Sequence, residues 1–210
     1  MQSDLVSALD GAVAVLRQGG IIACPAETMF GLGVDPFQQA AVTRLLQLKQ
    51  RPADKGGLIL LVADLGMLRM VACEPAPLAR RLMDRFWPGP LTLVLPAHPA
   101  LPHWIAGPDH TVAVRIPAAP VATALLAIWR KPLVSTSANR SGLPPARCAD
   151  ELRQQWPELY IVPDGGTLGD GDSLPSTLID LHHPDRAVLL RSGAIPDVLL
   201  RQEIPHLEGP

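Results

Sequence analysis

Twenty-three prolines are spread along these 210 residues rather than gathered into one linker. Each proline fixes φ and removes a backbone donor, so long uninterrupted helices and long central strands are disfavoured. A chain built this way folds as short elements joined by many tight connections. The apolar runs agree with that reading. Residues 21–24, 58–63, 91–95, 133–136, 159–162, 177–181 and 187–190 read as short strands. Residues 111–116 alternate, with Val112, Val114 and Ile116 on one face, which reads as a half-buried strand.

Helical periods lie between these runs. Leu5, Ala8, Leu9, Ala12, Val13 and Leu16 recur at helical spacing, and Gly19-Gly20 ends that helix. Asp35-Pro36-Phe37-Gln38 reads as a helix start, with Asp35 as N-cap and Pro36 in the first helical position; the helix extends to about Gln50. Further helices are expected over 76–86, 121–129 and 149–155, and the stretch PAETMFGLGVD (25–35) reads as a loop. Strands and helices interleave without a clean βαβ repeat. The expectation is a mixed α/β (α+β) fold: one twisted mixed sheet flanked by helices, with an open cleft. One domain over 1–195 and a short tail over 196–210 complete the expected organisation.

Composition narrows the function. Eighteen basic and 20 acidic residues leave a net charge of −2. That excludes a protein coated in positive charge but leaves room for a local basic cleft. The only tyrosine is Tyr160, which argues against stacking platforms for single-stranded nucleic acid. Cys24, Cys73 and Cys148 are odd in number and widely spaced, with no CxxC pair. Neither a disulfide framework nor a zinc site is indicated, and a reducing, cytoplasmic setting fits. Cys24 sits in an apolar run and reads as a small buried residue rather than a nucleophile. No signal peptide or membrane-spanning run is visible.

Several stretches gather polar or basic groups at the ends of elements, where ligands of open α/β sheets bind. In 25–35, Gly31 and Gly33 permit close backbone approach, while Glu27 and Thr28 supply a charge and a hydroxyl. Lys49 and Arg51 flank Gln50, either as charges favoured at a helix C-terminus or as a phosphate clamp. Arg115 shares a strand face with Thr111 and Ala113, facing either a cleft or an ordinary exposed surface. The stretch PLVSTSANRSG (132–142) releases Ser135, Thr136, Ser137, Asn139 and Ser141 at a strand end, and Ser176 and Arg191 add another hydroxyl and cation. There is no GxxxxGK[ST] and no GxSxG. The six histidines make no metal spacing, and His182-His183 reads as an exposed pair at a strand end.

Taken together, PAETMFGLG, KQRP, FWPGPLTLVL, VAVRIP, STSAN, PSTLID and LLRSGAI resemble, in order, the signatures of YrdC-like proteins. That family carries P-T-E-T-x-Y-G-L-G, K-x-R and S-x-N, and the resemblance spans roughly 5–195. The chain looks like the short single-domain bacterial form. The resemblance implies a nucleotidyl transfer: L-threonine, bicarbonate or CO2, and ATP become L-threonylcarbamoyl-AMP and pyrophosphate. Separate partner proteins then use the product to modify tRNA beside the anticodon. Lys49 and Arg51 are implied to hold the triphosphate and to carry catalysis, with Ser137, Asn139, Thr111 and Arg191 completing the ATP site. Arg115 is implied to pair with the threonine carboxylate, aided by Ser135, Ser176 and Thr28. Mg2+ is expected with the triphosphate, with no protein ligand evident. Two positions depart from the pattern: Ala26 replaces a threonine and Phe30 a tyrosine. Competing readings are a divergent paralogue and a double-stranded RNA or tRNA binder, whose basic face would draw on Arg44, Lys49, Arg51, Lys55, Arg115, Arg140 and Arg147.

Overall fold

The computed structural model describes residues 2–27, 29–50, 58–164, 168, 174–183 and 185–209. Thr28, Arg51 and Lys55 lie outside them, as does most of the Gly/Asp-rich stretch before Ser176.

Helix α1 (Gln2–Arg17) buries Leu9, Ala12, Val13 and Leu16, the stripe expected from its sequence period. Gly19, at φ +73°, then turns the chain into β1 (Ile22–Pro25). A left-handed glycine just past a helix satisfies orphan carbonyls at no steric cost. Here the amides of Gly19 and Gly20 donate to Leu16 and Val15.

The expected loop after β1 is in fact partly a strand, β2 (Phe30–Val34), paired antiparallel with β1. Its two glycines hide the alternation that marks a strand. Asp35 does not cap a helix directly. Its carboxylate accepts from the Phe37 amide at 2.9 Å and builds a turn, and α2 (Gln39–Leu48) starts after it.

The remaining elements are β3 (Ile59–Leu61), α3 (Leu65–Leu68), α4 (Pro77–Phe86), β4 (Leu91–Pro96), β5 (Thr111–Arg115), α5 (Pro120–Trp129), β6 (Leu133–Ser137), α6 (Ala149–Gln155), β7 (Tyr160–Ile161), β8 (Thr177–Asp180), β9 (Val188–Arg191) and α7 (Asp197–Glu203). Among the described residues, nine strands form one mixed sheet in the order β7-β1-β2-β6-β3-β5-β4-β8-β9. Helices α1 and α5 pack together over the β1 side of the sheet. The residues after Pro196 form α7, which buries Leu200, and the chain beyond it buries Ile204 and Leu207.

Strand β5 lies inside this order, between β3 and β4. The sequence suggests a half-buried strand, but all five of its residues are buried. Val112 and Val114 enter the core. Thr111, Ala113 and Arg115 face a cleft deep enough to bury them as well.

Candidate active site

The cleft has a volume of about 770 Å³. Its floor is one face of the sheet, read across the strands. Gly31 of β2 lies beside Ser137 of β6, Ser135 lies beside Ile59 of β3, and Ile59 lies beside Ala113 of β5. Val94 of β4 follows, with Asp180 of β8 beyond it. All of these residues line the cleft. Alternation places every second residue of each strand on this face, which is how residues distant in sequence meet.

Gly31 is a requirement of that floor. A Cβ there would stand 2.8 Å from the Ser135 hydroxyl and push it out of place.

Two cations stand over the floor. Arg115 is 9% exposed, and its Nη1 pairs with Glu27 Oε2 at 3.1 Å. The other Glu27 oxygen accepts from the Ala118 amide at 3.0 Å, which fixes the carboxylate. Arg115 Nε is shielded from solvent and has no partner. Burial lowers the Arg115 pKa, and the Glu27 charge opposes that shift. Arg191 reaches Ser176: Nε and Nη2 donate to the Ser176 carbonyl at 3.0 and 2.8 Å, and Nη2 to its hydroxyl at 3.0 Å. Its pKa is lowered by burial first and by the charge of Arg115 second. Like charges within reach of each other, Arg115 buried and Arg191 half-buried, are tolerable when an anion comes between them.

The hydroxyls are positioned in turn. Ser176 shares a 2.7 Å hydrogen bond with Thr92, which is wholly buried on β4. Thr111 donates to the Pro108 carbonyl at 2.8 Å. The strand end at Ser137 is held from below by Lys49. This buried ammonium contacts the Ser137 carbonyl, the Asn139 carbonyl at 2.9 Å and Asn139 Oδ1 at 3.1 Å. Asn139 Oδ1 also accepts from the Ser137 hydroxyl at 2.5 Å, and its amide nitrogen donates to Arg140 and Leu143.

Of the residues singled out in the sequence, Thr111, Arg115, Ser135, Ser137, Ser176 and Arg191 line this one cleft. Lys49 and Asn139 are not among its described lining residues, but they hold the Ser137 loop. Thr28 and Arg51 fall outside the described residues. Ala26 and Phe30, the two departures from the family pattern, both line the cleft.

Four further residues escaped sequence reasoning. Glu27 was noted only as a charge, and Thr92 is visible only through the β4–β5 register. Asp180 and His182 also line the cleft. His182 is not the exposed strand-end residue expected. Its side chain is 17% exposed, and Nδ1 lies 2.6 Å from Asp180 Oδ1. The available signal was an Asp-x-His pair at the end of β8. His183 is exposed, and its ring packs 3.8 Å from that of His182.

Among the described residues, no group of three or more His, Cys, Asp or Glu could hold a metal ion. No helix there is long and apolar enough to cross a membrane.

The sequence profile of the Sua5/YciO/YrdC family, described as "Telomere recombination", matches residues 14–193. A threonylcarbamoyl-AMP synthase of Xanthomonas oryzae pv. oryzae is 45% identical over 189 residues, covering 89% of this chain and 95% of that protein. One from Escherichia coli O157:H7 is 43% identical over 171 residues, covering 80% and 88%. The crystal structure of P. abyssi Sua5 complexed with L-threonine superposes with a TM-score of 0.86 at 37% identity. That match covers 95% of this chain and 58% of Sua5, so the chain spans about three-fifths of that protein's length. E. coli YciO superposes with a TM-score of 0.78 at 28% identity, covering 90% of each chain.

Proposed function

The chain belongs to the Sua5/YciO/YrdC family, and on that premise we propose that it makes L-threonylcarbamoyl-AMP from L-threonine, bicarbonate or CO2, and ATP. The observation that carries this reading is the pairing of Arg115 and Arg191 over a floor of small hydroxyls in one cleft. The threonine amine captures CO2 as a carbamate. A carbamate oxygen then attacks the α-phosphorus, the bond to the β-phosphate oxygen breaks, and pyrophosphate leaves. Both partners are anions, so the main work is to hold them together and to offset charge on the phosphate oxygens. No covalent enzyme intermediate is required.

Arg115 is assigned to the threonine carboxylate. Glu27 engages only Nη1, so Nε and Nη2 are left as the side-on fork that matches a carboxylate. Ser135 and Ser176, which line the same cleft, and Thr28 are assigned to the same pocket. Arg191, Thr111, Ser137, Asn139, Lys49 and Arg51 are assigned to ATP. Lys49 acts there through the loop it fastens, and Arg51 through its charge. Mg2+ enters as part of the nucleotide substrate. The product is a mixed anhydride suited to transfer onto tRNA by separate proteins, and a cytoplasmic location fits that use. The test is incorporation of labelled bicarbonate into a nucleotide product. Label that requires both threonine and ATP supports the assignment; product free of label contradicts it.

A further inference from the structure

The cleft is polar in two different ways. At one end stand Arg115 and Arg191, with the guanidinium of Arg191 turned back to Ser176. At the other end the lining is Asp109, Thr111, Asp180 and His182, with no Lys or Arg among the described lining residues there. A polyphosphate belongs at the first end. The second end offers acceptors to a donor.

We propose that His182, held by Asp180, is a hydrogen-bond acceptor for an N–H or O–H donor of the nucleoside half of ATP. The proposal rests on the reaction assigned above only in taking ATP as the nucleotide. Asp180 Oδ1 accepts from the His182 amide at 3.0 Å and lies 2.6 Å from Nδ1. An ionised carboxylate can only accept, so Nδ1 carries a proton, and the tautomer that this contact selects for a neutral ring presents a lone pair at Nε2. Nε2 is shielded from solvent and has no partner. A shielded, unpartnered polar atom in a ligand cleft is a group that a ligand completes.

The register sets the span. Thr111 pairs with Pro96 of β4, and Val94 pairs with Asp180 of β8. His182 lies two residues past Asp180, beyond the end of β8, and lines the Thr111 end of the cleft across about two strand spacings, about 10 Å. A sugar or a purine fits between them. The donor is either the adenine 6-amino group or the ribose 2′-hydroxyl, and both satisfy the same lone pair.

The test is calorimetric titration of wild type, His182→Phe and Asp180→Asn. The ligands are ATP, inosine triphosphate, 2′-deoxy-ATP, inorganic tripolyphosphate and threonine. Phe removes the acceptor. Asn keeps the ring but can donate to Nδ1, which moves the ring proton to Nε2. Each variant is expected to weaken ATP about ten-fold, the scale of one hydrogen bond. Tripolyphosphate and threonine are expected to bind as in wild type, which also certifies the fold. The nucleotide lacking the contacted donor is expected to bind wild type and variants equally: inosine triphosphate for the amino group, 2′-deoxy-ATP for the 2′-hydroxyl. ATP affinity within two-fold of wild type in both variants overturns the proposal, as does equal loss for all three nucleotides. Binding is read apart from turnover. A wild type that binds ATP but makes no product refutes the assigned reaction and leaves the His182 contact to be judged by the titrations. A wild type that does not bind ATP overturns both.

Discussion

At the scale of single residues, three side chains carry testable consequences. Arg115 is buried, half-engaged by Glu27, and aligned for a carboxylate. Arg115→Ala should remove about 1.5–3 kcal/mol of threonine binding, roughly a ten- to hundred-fold rise in the threonine KM. Its ATP affinity should change far less. Steady-state kinetics over both substrates checks this; an unchanged threonine KM refutes the role. Lys49 supports the Ser137–Asn139 loop through its carbonyls. Lys49→Ala leaves those acceptors without their charged donor and should cost about 1–3 kcal/mol in urea unfolding, with a loss of turnover. Full stability together with lost turnover would instead put the ammonium directly on the nucleotide.

Cys24 makes a third residue-level case. Burial pushes its thiol up to about 12 from an ordinary value of 9.0. The unfolded chain ionises this thiol near 9, whereas the fold keeps it protonated until about 12. Stability is therefore lost as pH rises across that window, and is intact below it. Cys24→Ala should flatten the fall in urea midpoint between pH 9 and 11. In the native protein at pH 8, a thiol reagent should label the exposed Cys148 while Cys24 stays protected. Mass spectrometry of the labelled peptides tests that order.

At the scale of elements, the apolar strands were legible because their patterns are carried by side chains. β2 was not legible, because Gly31 and Gly33 present no side chain to alternate. The helix start at Asp35 was misplaced for a related reason: Asp and Pro are used here by a turn before α2. β5 alternates as expected, yet its second face is buried in the cleft instead of exposed. The element that most depends on close approach is the β2–β6 pair. Gly31→Ala places a methyl 2.8 Å from Ser135 Oγ. Forcing that contact should cost about 1–3 kcal/mol of stability and raise the threonine KM by moving Ser135. A Gly31→Ala protein with wild-type midpoint and KM would contradict the packing of this floor.

At the scale of the whole molecule, local motifs named six residues that line the cleft but not their arrangement. Ser135, Arg115 and Ser176 come from β6, from β5 and from the approach to β8. They meet because β6 inserts between β2 and β3, and because β4 carries β8 in parallel. Sequence spacing contains no statement of that order. His182 was misread for the same reason: nothing local says that the end of β8 turns into the cleft. A near-neutral chain that gathers two arginines, one buried and one half-buried, in one concavity suits small anions. The central claim is that this cleft joins threonine, CO2 and ATP. Its most direct test is pyrophosphate release by the purified protein, with threonine and bicarbonate omitted in turn and the nucleotide product weighed by mass spectrometry. Release that needs both co-substrates, with a threonylcarbamoyl-AMP mass, is the expected result. Release that ignores threonine, or none at all with ATP bound, would contradict it.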